Sequence, residues 1–229
     1  WQLVRWLRTS ARGLDVPTAV WITTQLLMGL EAVHGLRDER GGLLHVVHRD
    51  VSPSNIFLSV HGDVKLGDLG IARAALRNRA SSETDRAKGK LGYLSPEQVS
   101  GREVDPRADI FAAAVVLAEL LSRRTLFTGA TELAVLLAIR DGDVRTFKAV
   151  ASSLPEGLAD GVLAALERRP ERRTASAASF DRQLRTFIVT PEARCRRGLG
   201  AEVVAALDAE ASDSDREALA QTVEKDSRW

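Results

Sequence analysis

A change of hydrophobic period near residue 55 constrains the fold of this chain most. Before it, Ala19, Ile22, Leu26, Leu30 and Val33 recur at spacings of three and four, one face of a helix. Asp15-Val16-Pro17 supplies the start of that helix, a capping carboxylate followed by a proline, and Gly35 a stop. Residues 37–44 are polar and Gly-containing, hence a loop. Then the pattern turns strand-like: residues 55–59 and 64–66 are short runs joined by His61-Gly62-Asp63, which predicts a hairpin. Helical spacing returns with Asp105-Pro106, read as cap and proline, which opens an apolar run to Leu121. Further helices are expected over 132–140, 156–167 and 176–188, on the spacings of Leu158, Val162 and Leu166 and of Phe180, Leu184 and Phe187. An amphipathic piece follows over 199–207 and another near Leu219. The fold class expected is mainly α (α+β), a helical bundle carrying one small antiparallel hairpin.

Composition closes off several function classes. With 229 residues, 45% hydrophobic and 28% charged, the chain can bury a core of its own. A net charge of +1 gives no field that would draw it to nucleic acid or a membrane surface. The longest apolar run, Ile110 to Leu121, is too short to span a bilayer, and Arg5 and Arg8 interrupt the first apolar stretch, so neither a membrane segment nor a signal peptide is read. One cysteine, Cys195, cannot form an internal disulfide; its arginine neighbours would favour the thiolate, but a structural thiol is the preferred reading. A cytoplasmic location is expected.

Three motifs then occur in order: His48-Arg49-Asp50-Val51-Ser52-Pro53-Ser54-Asn55, Asp68-Leu69-Gly70 and Ser95-Pro96-Glu97. Each residue has a bland reading alone: His48 as a core histidine, Asn55 as a turn former, Asp68 as a loop cap. As an ordered set they resemble the catalytic loop, metal-binding turn and activation-loop end of protein kinases, and the resemblance runs from about Asp15 to Ile188. The resemblance implies ATP and Mg²⁺ as cofactors and a protein substrate. It implies Asp50 as the group that takes the acceptor hydroxyl's proton, and Asn55 and Asp68 as metal ligands delivered to one point by the hairpin. Gly70 would permit the sharp turn after Asp68, and His48 would pack beneath it. Glu97 would pair with Arg173, and Asp109 would cap the central helix and hold the catalytic loop from below. Arg49 resembles that of kinases switched by activation-loop phosphorylation, with Ser81, Ser82 and Thr84 as candidate acceptors; a polar loop explains those hydroxyls equally well.

Two departures stand out. The family usually carries Lys two residues after the catalytic Asp, where this chain has Ser52, and Thr after the Gly before the third motif, where it has Lys90. The expectation is that Lys90 supplies the missing charge from the activation segment; the competing one is that it simply faces solvent. Nor does the sequence show a Gly-rich phosphate loop, a strand-borne Lys or a partnering helical Glu, and Leu199 between glycines lacks the strand and Lys of such a loop. The expected organisation is an incomplete kinase domain over 1–189, a C-lobe whose N-lobe is absent, and a helical, charged tail over 190–229. Trp1, Leu3, Val4, Trp6 and Leu7 would form the helix after the hinge. Nucleotide binding would be weak without an upper lobe or partner surface, and the apolar top of the lobe exposed. Pro53 in the catalytic loop favours a Ser/Thr over a Tyr kinase, and the loop resembles bacterial kinases. A non-catalytic docking module of pseudokinase type is the main alternative. A small-molecule kinase is disfavoured by the long activation segment and the Glu97–Arg173 pairing.

Overall fold

The computed structural model describes residues 3, 14–68, 90–188 and 192–210. Helix α1, Val16–His34, begins where Asp15 Oδ1 accepts the amide of Thr18 at 2.9 Å and ends where Gly35 N donates to Glu31 O. The buried face is wider than one stripe: Val20, Trp21, Leu27 and three threonines are buried beside the expected Ala19, Ile22, Leu26 and Leu30. Thr23 and Thr24 satisfy their hydroxyls on the backbone carbonyls of Ala19 and Trp21, so burying them leaves no orphan donor. By length and a mean hydropathy of 1.2, α1 is apolar enough to cross a membrane, although its apolar residues do not form one unbroken run. More than half of its residues are buried, as in a central core helix.

The hairpin forms as expected, with β1, Ile56–Leu58, antiparallel to β2, Val64–Leu66, and Phe57 facing Lys65 across the pair. Alternation puts Ile56, Leu58 and Val64 into the core and Phe57 and Lys65 outside. The turn is closed by Ser59 Oγ, which accepts the amides of His61 and Asp63, and by Gly62 at φ +78°. The preceding loop makes a single bridge, Arg37 to Leu43.

After residue 90 the chain is helical: α2, Pro96–Val99; α3, Arg107–Ser122; α4, Glu132–Asp141; α5, Arg145–Ala151; α6, Leu158–Ala165; α7, Ala177–Arg185; and α8, Glu192–Glu210. Helix α3 is the second core helix, buried from Ala108 through Leu120. It starts later than Asp105-Pro106 suggests, with Pro106 in the cap position; Asp105 still serves the end, its carboxylate accepting the amide of Arg107 at 2.8 Å. Helices α6 and α7 are shorter than their periodicity predicts, since helical spacing persists in the flanking turns. The short α2 and α5 have too few residues to show a period. Against α1 pack α3, α7, α8 and β2. Helix α8 is longer than the expected 199–207 piece, and Cys195, Leu199, Val203 and Ala206 join the common core. Of the expected first helix, Leu3 is described, helical and fully buried; Trp1, Val4, Trp6 and Leu7 lie outside the described residues, as do residues 211–229.

Candidate active site

The catalytic-loop backbone is held from below by one carboxylate. Asp109, in the first turn of α3 and 1% exposed, accepts the amide of His48 through Oδ2 and that of Arg49 through Oδ1, both at 2.8 Å. His34, in the last turn of α1, brings Nε2 within 2.8 Å of the same Oδ2. Three partners satisfy a buried charge that would otherwise be costly. They also hold Arg49 at φ +66°, a conformation that non-glycine residues avoid.

From this base the functional side chains rise in a fixed order. His48 is buried; its Nδ1 accepts the amide of Asp50 at 3.4 Å and its Nε2 donates to Gly67 O at 3.2 Å, which joins the loop to the end of β2. Asn55 closes a 3-10 turn, Pro53–Asn55, whose opening proline presets the backbone. Its Nδ2 donates to Asp50 O at 2.7 Å and to Asp50 Oδ2 at 3.0 Å. The Asn55 carbonyl accepts the amide of Gly67, so the residue before Asp68 is stitched to the residue that binds Asp50. Asp68 follows, exposed and at φ +56°. Lys90 comes from the far side of the segment: its Nζ donates to Asp50 Oδ2 at 2.8 Å and to Asn55 Oδ1 at 3.3 Å. Ser52 is buried and shares a hydrogen bond with Ser54 Oγ.

The segment after Lys90 is tied to this platform. Ser95 and Gln98 form a capping box at the start of α2, and Gln98 Nε2 donates to Arg49 O at 3.2 Å. Glu97 meets Arg173 in a two-pronged pair, 2.8 and 3.0 Å, with both side chains at most 2% exposed. Arg173 also donates to the carbonyls of Arg107 and Glu167 and lies 5.0 Å over the Phe111 ring. Tyr93 donates to Glu119 Oε2 at 2.6 Å, and Glu119 Oε1 accepts the amide of Leu126. Burial pushes the Glu119 carboxyl above its ordinary range, and burial together with the Glu119 charge does the same to the Tyr93 phenol.

The structure therefore brings Asp50, Asn55 and Lys90 into one cluster, with His48, Asp109, Glu97 and Arg173 as its supports. Gly70, Ser81, Ser82 and Thr84 lie outside the described residues. Sequence reasoning missed His34, Tyr93, Gln98 and Glu119. Only Gln98 carried a local signal, the Ser-x-x-Gln spacing of a capping box. His34 meets Asp109 75 positions away, and Tyr93 and Glu119 meet each other across 26. Among the described residues no group of three or more His, Cys, Asp or Glu could hold a metal. The Asn55 amide oxygen and Asp68 carboxylate are nonetheless hard donors of the kind Mg²⁺ accepts when substrate phosphates and water complete its shell.

Residues 2–183 match the protein kinase domain family. Over 187 residues, 80% of this chain and 45% of the relative, the sequence is 38% identical to the serine/threonine-protein kinase PknL of Mycobacterium tuberculosis. Over 175 residues, 76% of the chain and 27% of the relative, it is 40% identical to the tyrosine-protein kinase MasK of Myxococcus xanthus. The serine/threonine-protein kinase PrkC of Bacillus subtilis is 32% identical over 141 residues. The chain spans less than half the length of these curated relatives.

Proposed function

The chain belongs to the protein kinase family, and on that premise we propose that it transfers the γ-phosphate of ATP to serine or threonine hydroxyls of a protein substrate. The observation that carries the reading is the bonding of Asn55 to both the backbone and the carboxylate of Asp50, while its carbonyl holds the residue before Asp68. The proton acceptor and one hard oxygen donor are thereby held together, and the backbone leading to the second donor, Asp68, is tied to the same residue, an arrangement that suits phosphoryl transfer.

Asp50 would accept the hydroxyl's proton and orient its oxygen. Asn55 and Asp68 would hold Mg²⁺, whose contribution is to neutralise charge on the transferring phosphate. A phosphate on Ser81, Ser82 or Thr84 would pair with the exposed Arg49. A covering surface, on this protein or on a partner, would complete the adenine site above the hairpin, and the supply of ATP puts the reaction in the cytoplasm. The domain is assigned to residues 1–189, with residues 190–229 as a distinct C-terminal region, of which α8 packs on the lobe. A protein substrate is favoured over a small molecule by the seated end of the activation segment, where Glu97–Arg173 and Gln98 fix the backbone next to Asp50.

The test is transfer of labelled phosphate from Mg-ATP, by the protein as its gene encodes it, to a mixed protein acceptor, followed by identification of the phosphoamino acid. Phosphoserine or phosphothreonine is expected, falling about 100-fold or more in Asp50→Asn. Phosphotyrosine alone would overturn the hydroxyl specificity, and undiminished transfer by Asp50→Asn would overturn the site.

A further inference from the structure

We propose that Lys90 is a catalytic residue, supplying from the activation segment the positive charge that meets the transferring phosphate beside Asp50. The inference rests on the kinase reading above. Lys90 Nζ bonds the carboxylate oxygen of Asp50 and the amide oxygen of Asn55 at once, at 2.8 and 3.3 Å. The pair is largely shielded, with side chains 22% and 16% exposed, so the attraction is less screened than at an open surface. Within the catalytic loop itself, Ser52 is short, buried and engaged with Ser54, so it offers no charge to the site.

Transfer brings three anionic phosphate oxygens to within a few ångströms of a carboxylate that must take a proton. A positive charge between them lowers that repulsion. The bond from the acceptor oxygen to phosphorus forms, the bond from phosphorus to the ADP oxygen breaks, and the hydroxyl proton passes to Asp50. What sets this arrangement apart is the element that carries the cation. Lys90 precedes a 3-10 turn, Leu91–Tyr93, in which Tyr93 N donates to Lys90 O. That turn is anchored on α3 through Tyr93 and Glu119, and α2 beyond it is anchored on the catalytic loop through Gln98. The same contacts that seat the substrate-side segment therefore seat the catalytic charge. Displacing the segment removes the cation from Asp50 as well as reshaping the substrate surface.

The experiment compares the parent with Lys90→Thr, Lys90→Met and the exchanged pair Lys90→Thr/Ser52→Lys. Phosphate transfer and the affinities for Mg-ATP and Mg-ADP are both measured, with thermal unfolding as the check on folding. Expected in either single variant is a loss of about 100-fold in transfer, together with a fall in the preference for ATP over ADP. The exchanged pair should regain at least about tenfold of the transfer and part of the ATP preference. Single variants within threefold of the parent in transfer and unchanged in ATP preference would overturn the proposal. So would a folded exchanged pair no better than Lys90→Thr. If the parent transfers no phosphate the kinase reading fails, and the ATP-over-ADP preference still decides whether Lys90 meets the terminal phosphate.

Discussion

Arg173 and Glu97 show how much a single pair can hold in this molecule. The guanidinium is fully buried, and it spends its donors on Glu97 and on the carbonyls of Arg107, Glu167 and Arg168. Removing one partner strands the other charge away from solvent, so Arg173→Met should destabilise the fold by about 3–5 kcal/mol by denaturant unfolding. The paired change Glu97→Leu/Arg173→Met should recover part of that loss, because the desolvated charge disappears with its partner. No recovery would mean that the carbonyl bonds of Arg173, rather than its ion pair, carry the stability. At this scale the site was legible in the sequence wherever residue type and spacing repeat a family pattern, as for His48, Asp50, Asn55 and Asp109. His34 was not legible: nothing local distinguishes it from any helix-terminal histidine, and its partner Asp109 lies 75 positions away.

Among the elements, the hairpin and α8 meet through two glycines. A Cβ on Gly200 would lie 2.5 Å from Val60 O, and one on Gly62 only 1.9 Å from Arg196 O, so helix and turn touch backbone to backbone. Arg196 closes the contact, donating to His61 O and pairing with Asp63 at 2.7 Å. Gly200→Ala should therefore destabilise by about 1–3 kcal/mol, since a backbone has to move. Gly198→Ala, two positions away with nothing within 4 Å of its Cβ, should instead stabilise by up to about 1 kcal/mol through helix propensity. Equal effects at both positions by thermal unfolding would contradict the close approach. The hairpin was legible because a change of period marks it, whereas the docking of α8 was not. Glycines within a helix read as weakness in a sequence, and only the neighbour they admit explains Gly200.

For the molecule as a whole, the helices before and after the hairpin close around one core, and that core fixes where Asp50, Asn55 and Lys90 meet. The fold class follows from hydrophobic period alone; the meeting of Asp50, Asn55 and Lys90, up to 40 positions apart, does not, because it depends on how α1 and α3 pack beneath the loop. The proposed function makes the Asp50, Asn55 and Asp68 positions one Mg²⁺-dependent nucleotide site. The most direct measurement is calorimetric binding of ATP to the protein as its gene encodes it, with and without Mg²⁺, beside Asp68→Ala. Binding should require Mg²⁺ and weaken at least about tenfold in a folded Asp68→Ala variant. Binding indifferent to Mg²⁺, or unchanged by Asp68→Ala, would contradict that reading.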